Sequence, residues 1–279
     1  MTDRIALITG ATNGVGRVVA ERLGRSGWYV LAHGRDAARG RSLIGHIEAA
    51  GGRARLYLAD LASLVEVRRL AAEVAGEFPR LQLLINNAGI GFGRPGAGRQ
   101  TSADGFELRF AVNYLAPFLL TRLLLPNLLA AAPARIVNVA SVGQQDLDFE
   151  DLQFERGYSG VGAYCRSKLA LIMFTFDLAK ELAGTGVTVN AVHPASLMDT
   201  YMVREAGATP MSTVEEGADA IMNLAVSPQM SGRTGEYFDR LVPARARAQA
   251  YDAAAREKLR QATLALVGLQ TETLRETST

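Results

Sequence analysis

The sequence predicts a doubly wound α/β domain with a parallel sheet of about seven strands and helices on both faces. Three observations carry that expectation. Short apolar runs alternate with helix-period stretches as far as about residue 238, the pattern of strand–helix–strand crossovers. The first run, residues 5–9, leads into Gly10-x-x-x-Gly14-x-Gly16 and then a helical pattern carrying Val18, Val19 and Leu23. Glycines here let the backbone approach a pyrophosphate, whose charge the N–H groups of a helix N-terminus favour. Thirdly, no break in composition divides the 279 residues, so residues 1–269 are expected to form one dinucleotide-binding domain, with a polar, disordered tail at 270–279.

Composition narrows the function. The 30 basic residues nearly balance the 28 acidic ones, which argues against a nucleic-acid groove and favours a small neutral ligand. A single cysteine, Cys165, allows no internal disulfide, and no charged-then-apolar signal segment opens the chain; the expectation is a cytoplasmic protein. The most apolar run, 115–132, is interrupted by Arg122, Pro117 and Pro126, poor material for a membrane span. No metal-ligand spacing and no internal repeat are present.

Taken in order, residues 29–33 form the second strand and 53–58 the third, ending at Asp60-Leu61, where the carboxylate can cap a helix starting near Ala62. The fourth strand, 81–85, ends in Asn86-Asn87-Ala88-Gly89. A long helical pattern over 106–129 holds Asn113 among apolar neighbours, so its amide must find partners. The fifth strand, 135–140, delivers Ser141 to its carboxyl end, where ligands of open α/β sheets bind. The acidic stretch 144–158 reads as solvated charge. Residues 187–192 form the sixth strand, followed by His193-Pro194-Ala195 and an apolar lid (Leu197, Met198, Tyr201, Met202, Val203). A helix at 214–224, a short strand at 235–238 and an amphipathic helix at 244–269 complete the chain.

The centre of the chemistry is Tyr164-Cys165-Arg166-Ser167-Lys168. Helical spacing puts Tyr164 and Lys168 on one face, one turn apart. Only three lysines stand against 27 arginines, so a compact, desolvatable ammonium at this place is informative. A free phenol titrates near pH ~10 and an ammonium beside it favours the phenolate, making Tyr164 a proton donor to a developing alkoxide.

Together, Thr9-Gly10-x-x-x-Gly14-x-Gly16 and Tyr164-x-x-x-Lys168, about 150 residues apart, resemble the classical short-chain dehydrogenase/reductase family and its Rossmann fold. The text around Gly157-Tyr158-Ser159-Gly160 and Ser167-Lys168-Leu169-Ala170 is most similar to its retinol-dehydrogenase-like branch. The resemblance implies catalysis by Asn113, Ser141, Tyr164 and Lys168: Tyr164 donates the proton, Ser141 polarises the carbonyl, Lys168 lowers the phenol pKa and holds the ribose, and Asn113 holds a water that completes the relay. It implies a nicotinamide cofactor held by Gly10, Thr12, Asn13, Gly14, Val15, Gly16, Asp60, Leu61, Asn87, Ala88, Gly89, Tyr164, Lys168, Pro194 and Thr200. At Thr200 the chain departs from the family, which has Pro-Gly where this chain has Pro194-Ala195 and a Thr where it has Asp199.

NADP(H) is the expected cofactor. A NAD-selective site places a carboxylate about 20 residues past the glycine turn, and that position is Gly34, followed by Arg35. Arg35 and Arg17 are candidates to grip a 2′-phosphate, with Asp36 near enough to neutralise one of them. The apolar candidates Phe92, Phe149, Phe154, Leu197, Met198, Tyr201 and Met202 predict a lipophilic ketone or aldehyde, or its alcohol, as substrate. The long helices 106–129 and 164–182 carry more apolar residues than one core-facing stripe requires, and the resemblance implies pairing through them into a homodimer or homotetramer. The alternative is a catalytically silent NADP(H)-binding regulator or scaffold.

Overall fold

A computed structural model describes residues 4–94 and 96–270. Eight strands form one sheet: β1 Ile5–Ile8, β2 Tyr29–Gly34, β3 Arg53–Leu58, β4 Leu83–Asn86, β5 Ala134–Val139, β6 Val187–His193, β7 Tyr237–Asp239 and β8 Val242–Ala244. Their order is β3-β2-β1-β4-β5-β6-β7-β8, all neighbours parallel except the last pair. The expected seven strands are present and the eighth is an addition. Arg240, at φ 55, turns the chain back after β7, and Pro243 is tolerated in β8 because that strand lies at the sheet edge.

The central strands are apolar because both faces are covered. On one face Ile8, Val30 and Ile85 pack with Val19 and Leu23 of helix α1 (Gly14–Arg25), Leu43 and Ile47 of α2 (Ala37–Ala49), and Ile221 and Leu224 of the helix Val214–Val226. On the other, Leu7, Leu31 and Leu84 pack with Leu70 of α3 (Leu64–Glu77), Phe118 of the helix Leu108–Ala130 and Ile172 of the helix Gly160–Glu181. Among the described residues Leu108–Ala130 is the one helix long and apolar enough to cross a membrane, and 83% of its most apolar window is buried inside the protein. Its apolar surplus thus serves the core.

Helix starts follow local capping chemistry. Ser63 accepts a hydrogen bond from the N–H of Glu66, and Ser159 from that of Gly162, fixing the entry of the Tyr164 helix. The expected helix at 244–269 begins only at Ala253, because β8 and the 3-10 turn Ala248–Tyr251 come first and Asp252 caps the first turn through the N–H of Ala254. Of the expected tail, residues 271–279 lie outside the described residues.

Candidate active site

The glycine turn sits between β1 and α1, where the strand order reverses. Gly10 has φ +66, and a Cβ there would lie 2.8 Å from the Cα of Ala88; a Cβ on Gly16 would lie 2.3 Å from the Gly10 carbonyl oxygen. Neither position admits a side chain. Asn87 locks this approach: its Nδ2 donates to the carbonyls of Thr9 (2.9 Å) and Gly10 (3.1 Å), while the N–H groups of Asn87 and Ala88 each donate to Thr9 Oγ1 at 3.0 Å.

A further anchor, His33, was not legible as such in the sequence. His33 Nδ1 accepts the Gly10 N–H at 3.3 Å, and its Nε2 therefore carries the proton and donates to the Ala59 carbonyl at 3.0 Å. Burial brings its pKa down to about 4, so the imidazole stays neutral. Thr12 is buried against Gly34, where a Cβ would come within 2.4 Å of the Thr12 methyl. Asn13, exposed at the N-cap of α1, makes no side-chain bond to the first turn. The N–H groups of that turn, from Gly14, Val15 and Gly16, are thus available to an anion.

At the carboxyl ends of β4 and β5 the second cluster assembles. Lys168 Nζ donates to the Val139 carbonyl at 2.8 Å and lies 5.7 Å from the Tyr164 ring centroid. The Ser141 hydroxyl stands near enough to the Tyr164 phenol to favour its ionised form and accepts the Gly143 N–H at 3.0 Å. Asn113 sits in a π-helical turn, Ala111–Leu115, a wide turn that recurs at functional sites. Its amide is fully used: Oδ1 accepts the Ile90 N–H (2.8 Å), and Nδ2 donates to the Ile90 carbonyl and Ser167 Oγ (3.0 Å each). Gly89 lies between Asn113 and Lys168, its would-be Cβ 3.2 Å and 3.5 Å from Asn113 Oδ1 and Lys168 Nζ.

The electrostatics differ from expectation. Burial raises the Tyr164 phenol pKa, with the neighbouring Ser141 hydroxyl acting against it; burial also brings Lys168 down to about 8. The ammonium faces the Val139 carbonyl, so a depression of the phenol by Lys168 is not the outcome in this arrangement.

At the cofactor end the charged candidates have near neighbours of their own. Arg17 is drawn along its own helix to Glu21 at 2.9 Å. Asp36 caps α2 through the N–H groups of Ala38 and Arg39 and pairs with Arg39 at 3.3 Å, so it does not neutralise Arg35. Arg35 instead stands exposed 3.7 Å from Asp60, which also accepts the Ala62 N–H at 3.0 Å. The Leu61 side chain is packed into the core. Pro194 is buried, and the Thr200 methyl lies against Gly14, 3.3 Å from a would-be Cβ. Asp199 faces away, paired with Arg204 at 2.8 Å and 2.9 Å.

On the substrate side, Phe92 meets the Tyr164 ring edge-on at 4.7 Å, while Met202 crosses to Gly91 and Met198 to Gly217. Phe149 and Phe154 are not pocket walls: Phe149 packs against the core and Phe154 is buried under Arg166, 3.9 Å away. The charges of 144–158 are largely satisfied by salt bridges and turns, with Asp146 held by Arg247. A hollow of about 330 Å³ is lined by Val142, Gln144, Tyr237, Asp239, Arg245 and Arg247.

A glycine turn for a dinucleotide facing a Ser–Tyr–Lys cluster, on a doubly wound sheet, defines a class: nucleotide-dependent oxidoreductases acting on CH–OH and carbonyl groups. The chain belongs to the short chain dehydrogenase family, whose profile matches residues 4–211, and it lies on the retinol-dehydrogenase-like branch. It is 36% identical to retinol dehydrogenase 13 of Homo sapiens over 300 aligned residues, covering 98% of this chain and 87% of that protein. The Pseudomonas aeruginosa RhlG/NADP active-site complex superposes with a TM-score of 0.70 at 29% identity, covering 86% of this chain and 95% of that one. The 3-ketoacyl-(acyl-carrier-protein) reductase from Brucella melitensis complexed with NADH gives 0.68 at 26% identity, covering 86% and 98%.

Proposed function

We propose that the protein interconverts a lipophilic ketone or aldehyde and its alcohol with NADP(H), with carbonyl reduction as the favoured direction. The observation that carries this reading is the buried Tyr164 phenol with the Ser141 hydroxyl and Lys168 beside it. A nicotinamide dinucleotide held through its pyrophosphate at the glycine turn would supply or accept the hydride. The chain's own residues do the rest. Burial keeps the phenol protonated at neutral pH, so Tyr164 holds a proton to give to the carbonyl oxygen; Ser141 orients that oxygen by a hydrogen bond. Asn113 ties the loop after β4 to Ser167, one residue from Lys168, and so fixes the floor of the site. Exposed Val142 and Tyr201 support an apolar substrate.

Arg35 supports the choice of NADP(H), since an exposed pair such as Arg35–Asp60 contributes only about 0.2–1 kcal/mol and yields readily to a phosphate. A charge-assisted hydrogen bond contributes about 1.5–3 kcal/mol, a tenfold to hundredfold preference. The test is kcat/KM with NADPH and NADH on one aldehyde at fixed ionic strength. Wild type is expected to prefer NADPH and Arg35→Ala to lose most of that preference; an NADH preference in wild type removes the argument.

A cytoplasmic location and self-association belong to the same reading. Copies pairing through the long helices must use a face other than the one the C-terminal helix takes, where Tyr114 and Thr263 hydroxyls are 2.7 Å apart and Arg260 reaches Asp177 at 3.4 Å.

A further inference from the structure

The loop that carries Phe92 to the Tyr164 ring is held by an arginine that the site does not otherwise use. Arg109 is 3% exposed and its neighbour Glu107 is 1% exposed. Arg109 Nε donates to the Gly91 carbonyl at 2.7 Å and one terminal nitrogen donates to the Phe92 carbonyl at 2.8 Å. The other terminal nitrogen donates to the Tyr158 hydroxyl at 2.8 Å, and that hydroxyl donates on to Glu107 Oε1 at 3.1 Å. A planar guanidinium can span two consecutive carbonyls and a third partner at once, which an ammonium cannot. From the other side, the Tyr164 helix begins hard against the loop: a Cβ on Gly160 would lie 2.1 Å from the Phe92 carbonyl oxygen. Loop, helix entrance and arginine therefore form one unit that presents the half-buried Phe92 ring edge-on to Tyr164.

We propose that Arg109 is a positioning residue that sets substrate selectivity: by gripping the Gly91 and Phe92 carbonyls it fixes the Phe92 ring beside Tyr164, and the ring decides how a bulky apolar carbonyl compound reaches the phenol. The selectivity half rests on the oxidoreductase reading; the loop-positioning half does not. Removing Arg109 alone leaves Glu107 as a buried unpaired charge, so the informative variants are Arg109→Lys, the neutral pair Glu107→Gln/Arg109→Gln, and Phe92→Ala, which leaves the ion pair intact.

Two measurements decide it. Amide hydrogen exchange at residues 90–92 is expected to rise at least tenfold in the Arg109 variants against an unchanged β-sheet; equal protection overturns the proposal. With NADPH, the ratio of kcat/KM for decanal to that for propanal is expected to shift at least tenfold in Phe92→Ala and in the neutral pair. The triple variant should add less than threefold, since both changes act on one ring, and NADPH affinity should stay within threefold. A role confined to stability would lower Tm and leave the ratio untouched, and that result overturns the proposal, as do effects that simply multiply. Should the Arg109 variants fail to fold, an unchanged ratio in Phe92→Ala overturns it and a shifted ratio supports it. If wild type reduces neither aldehyde with either nicotinamide, the oxidoreductase reading falls and the exchange measurement alone decides the positioning.

Discussion

The glycine turn and the substrate rim lie at the same, carboxyl end of the strands and are held in opposite ways. At the turn there is no room: Cβ atoms on Gly10 or Gly16 would overlap backbone, and Asn87, Thr9 and His33 lock what is left with buried hydrogen bonds. At the rim, Tyr201 is 65% exposed, and the helix Tyr201–Glu205 buries none of its residues. Met202 touches Gly91, and the exposed pair Asp199–Arg204 only braces the helix to the residue before its own N-cap, a contact of about 1 kcal/mol at most. One region is specified by excluded volume, so nearly any change there is felt in the fold. The other rests on weak contacts, so its side chains can change what is bound without changing what is folded.

The contrast can be tested from its strongest point downward. Tyr164→Phe removes the proton donor and little volume; turnover should fall about 10²–10⁴-fold while NADPH affinity, measured by fluorescence titration, stays within threefold. Turnover near wild type would sink the assignment.

His33 gives the next largest effect, through pH. Its folded pKa of about 4 lies below the unfolded 6.5, so the unfolded chain binds the proton first. Stability from this group is full above pH 6.5 and is lost as pH falls from 6.5 to 4, by about 3 kcal/mol. Urea midpoints across that range should decline more steeply in wild type than in His33→Gln, and parallel curves would refute the role. Gly16→Ala should follow, costing about 1–3 kcal/mol by overpacking and weakening NADPH binding with it. Smallest of all, Tyr201→Ser should leave stability within about 0.5 kcal/mol yet change kcat/KM for decanal; a large loss of Tm would mean the rim is structural after all.

What could be read in the sequence follows the same divide. Strands announce themselves by apolar runs, and the glycine turn by spacing, because both are local patterns. Tyr164 and Lys168 share a helical face for the same reason, and Ser141 falls at a strand end. Contacts that depend on register across the sheet were out of reach: His33 meets Gly10 and Ala59, 23 and 26 residues away, and Tyr158 meets Arg109 at a separation of 49. The Arg17–Glu21 pair was within reach of the sequence, since Glu21 stands four residues on, the ordinary helical pairing distance. Phe149 and Phe154 were read as pocket walls because an aromatic in a loop looks the same whether it faces a ligand or the core. β8 was hidden by its brevity and its proline.

The wide turn at Ala111–Leu115 leaves the helix Leu108–Ala130 as two rods spliced out of phase. Each residue advances an α-helix by about 100°, so the extra residue in the turn sets where every later side chain points. Asn113 faces Ile90 and Ser167, whereas Tyr114, the next residue, faces Thr263 near the end of the described chain. Beyond the splice the second rod keeps Phe118, Leu119 and Leu124 in the core. A chain shortened by one residue here could still be fully helical and equally apolar, yet it could satisfy the polar partners before the splice or the apolar ones after it, and not both. Helix length, in this protein, is a form of aiming.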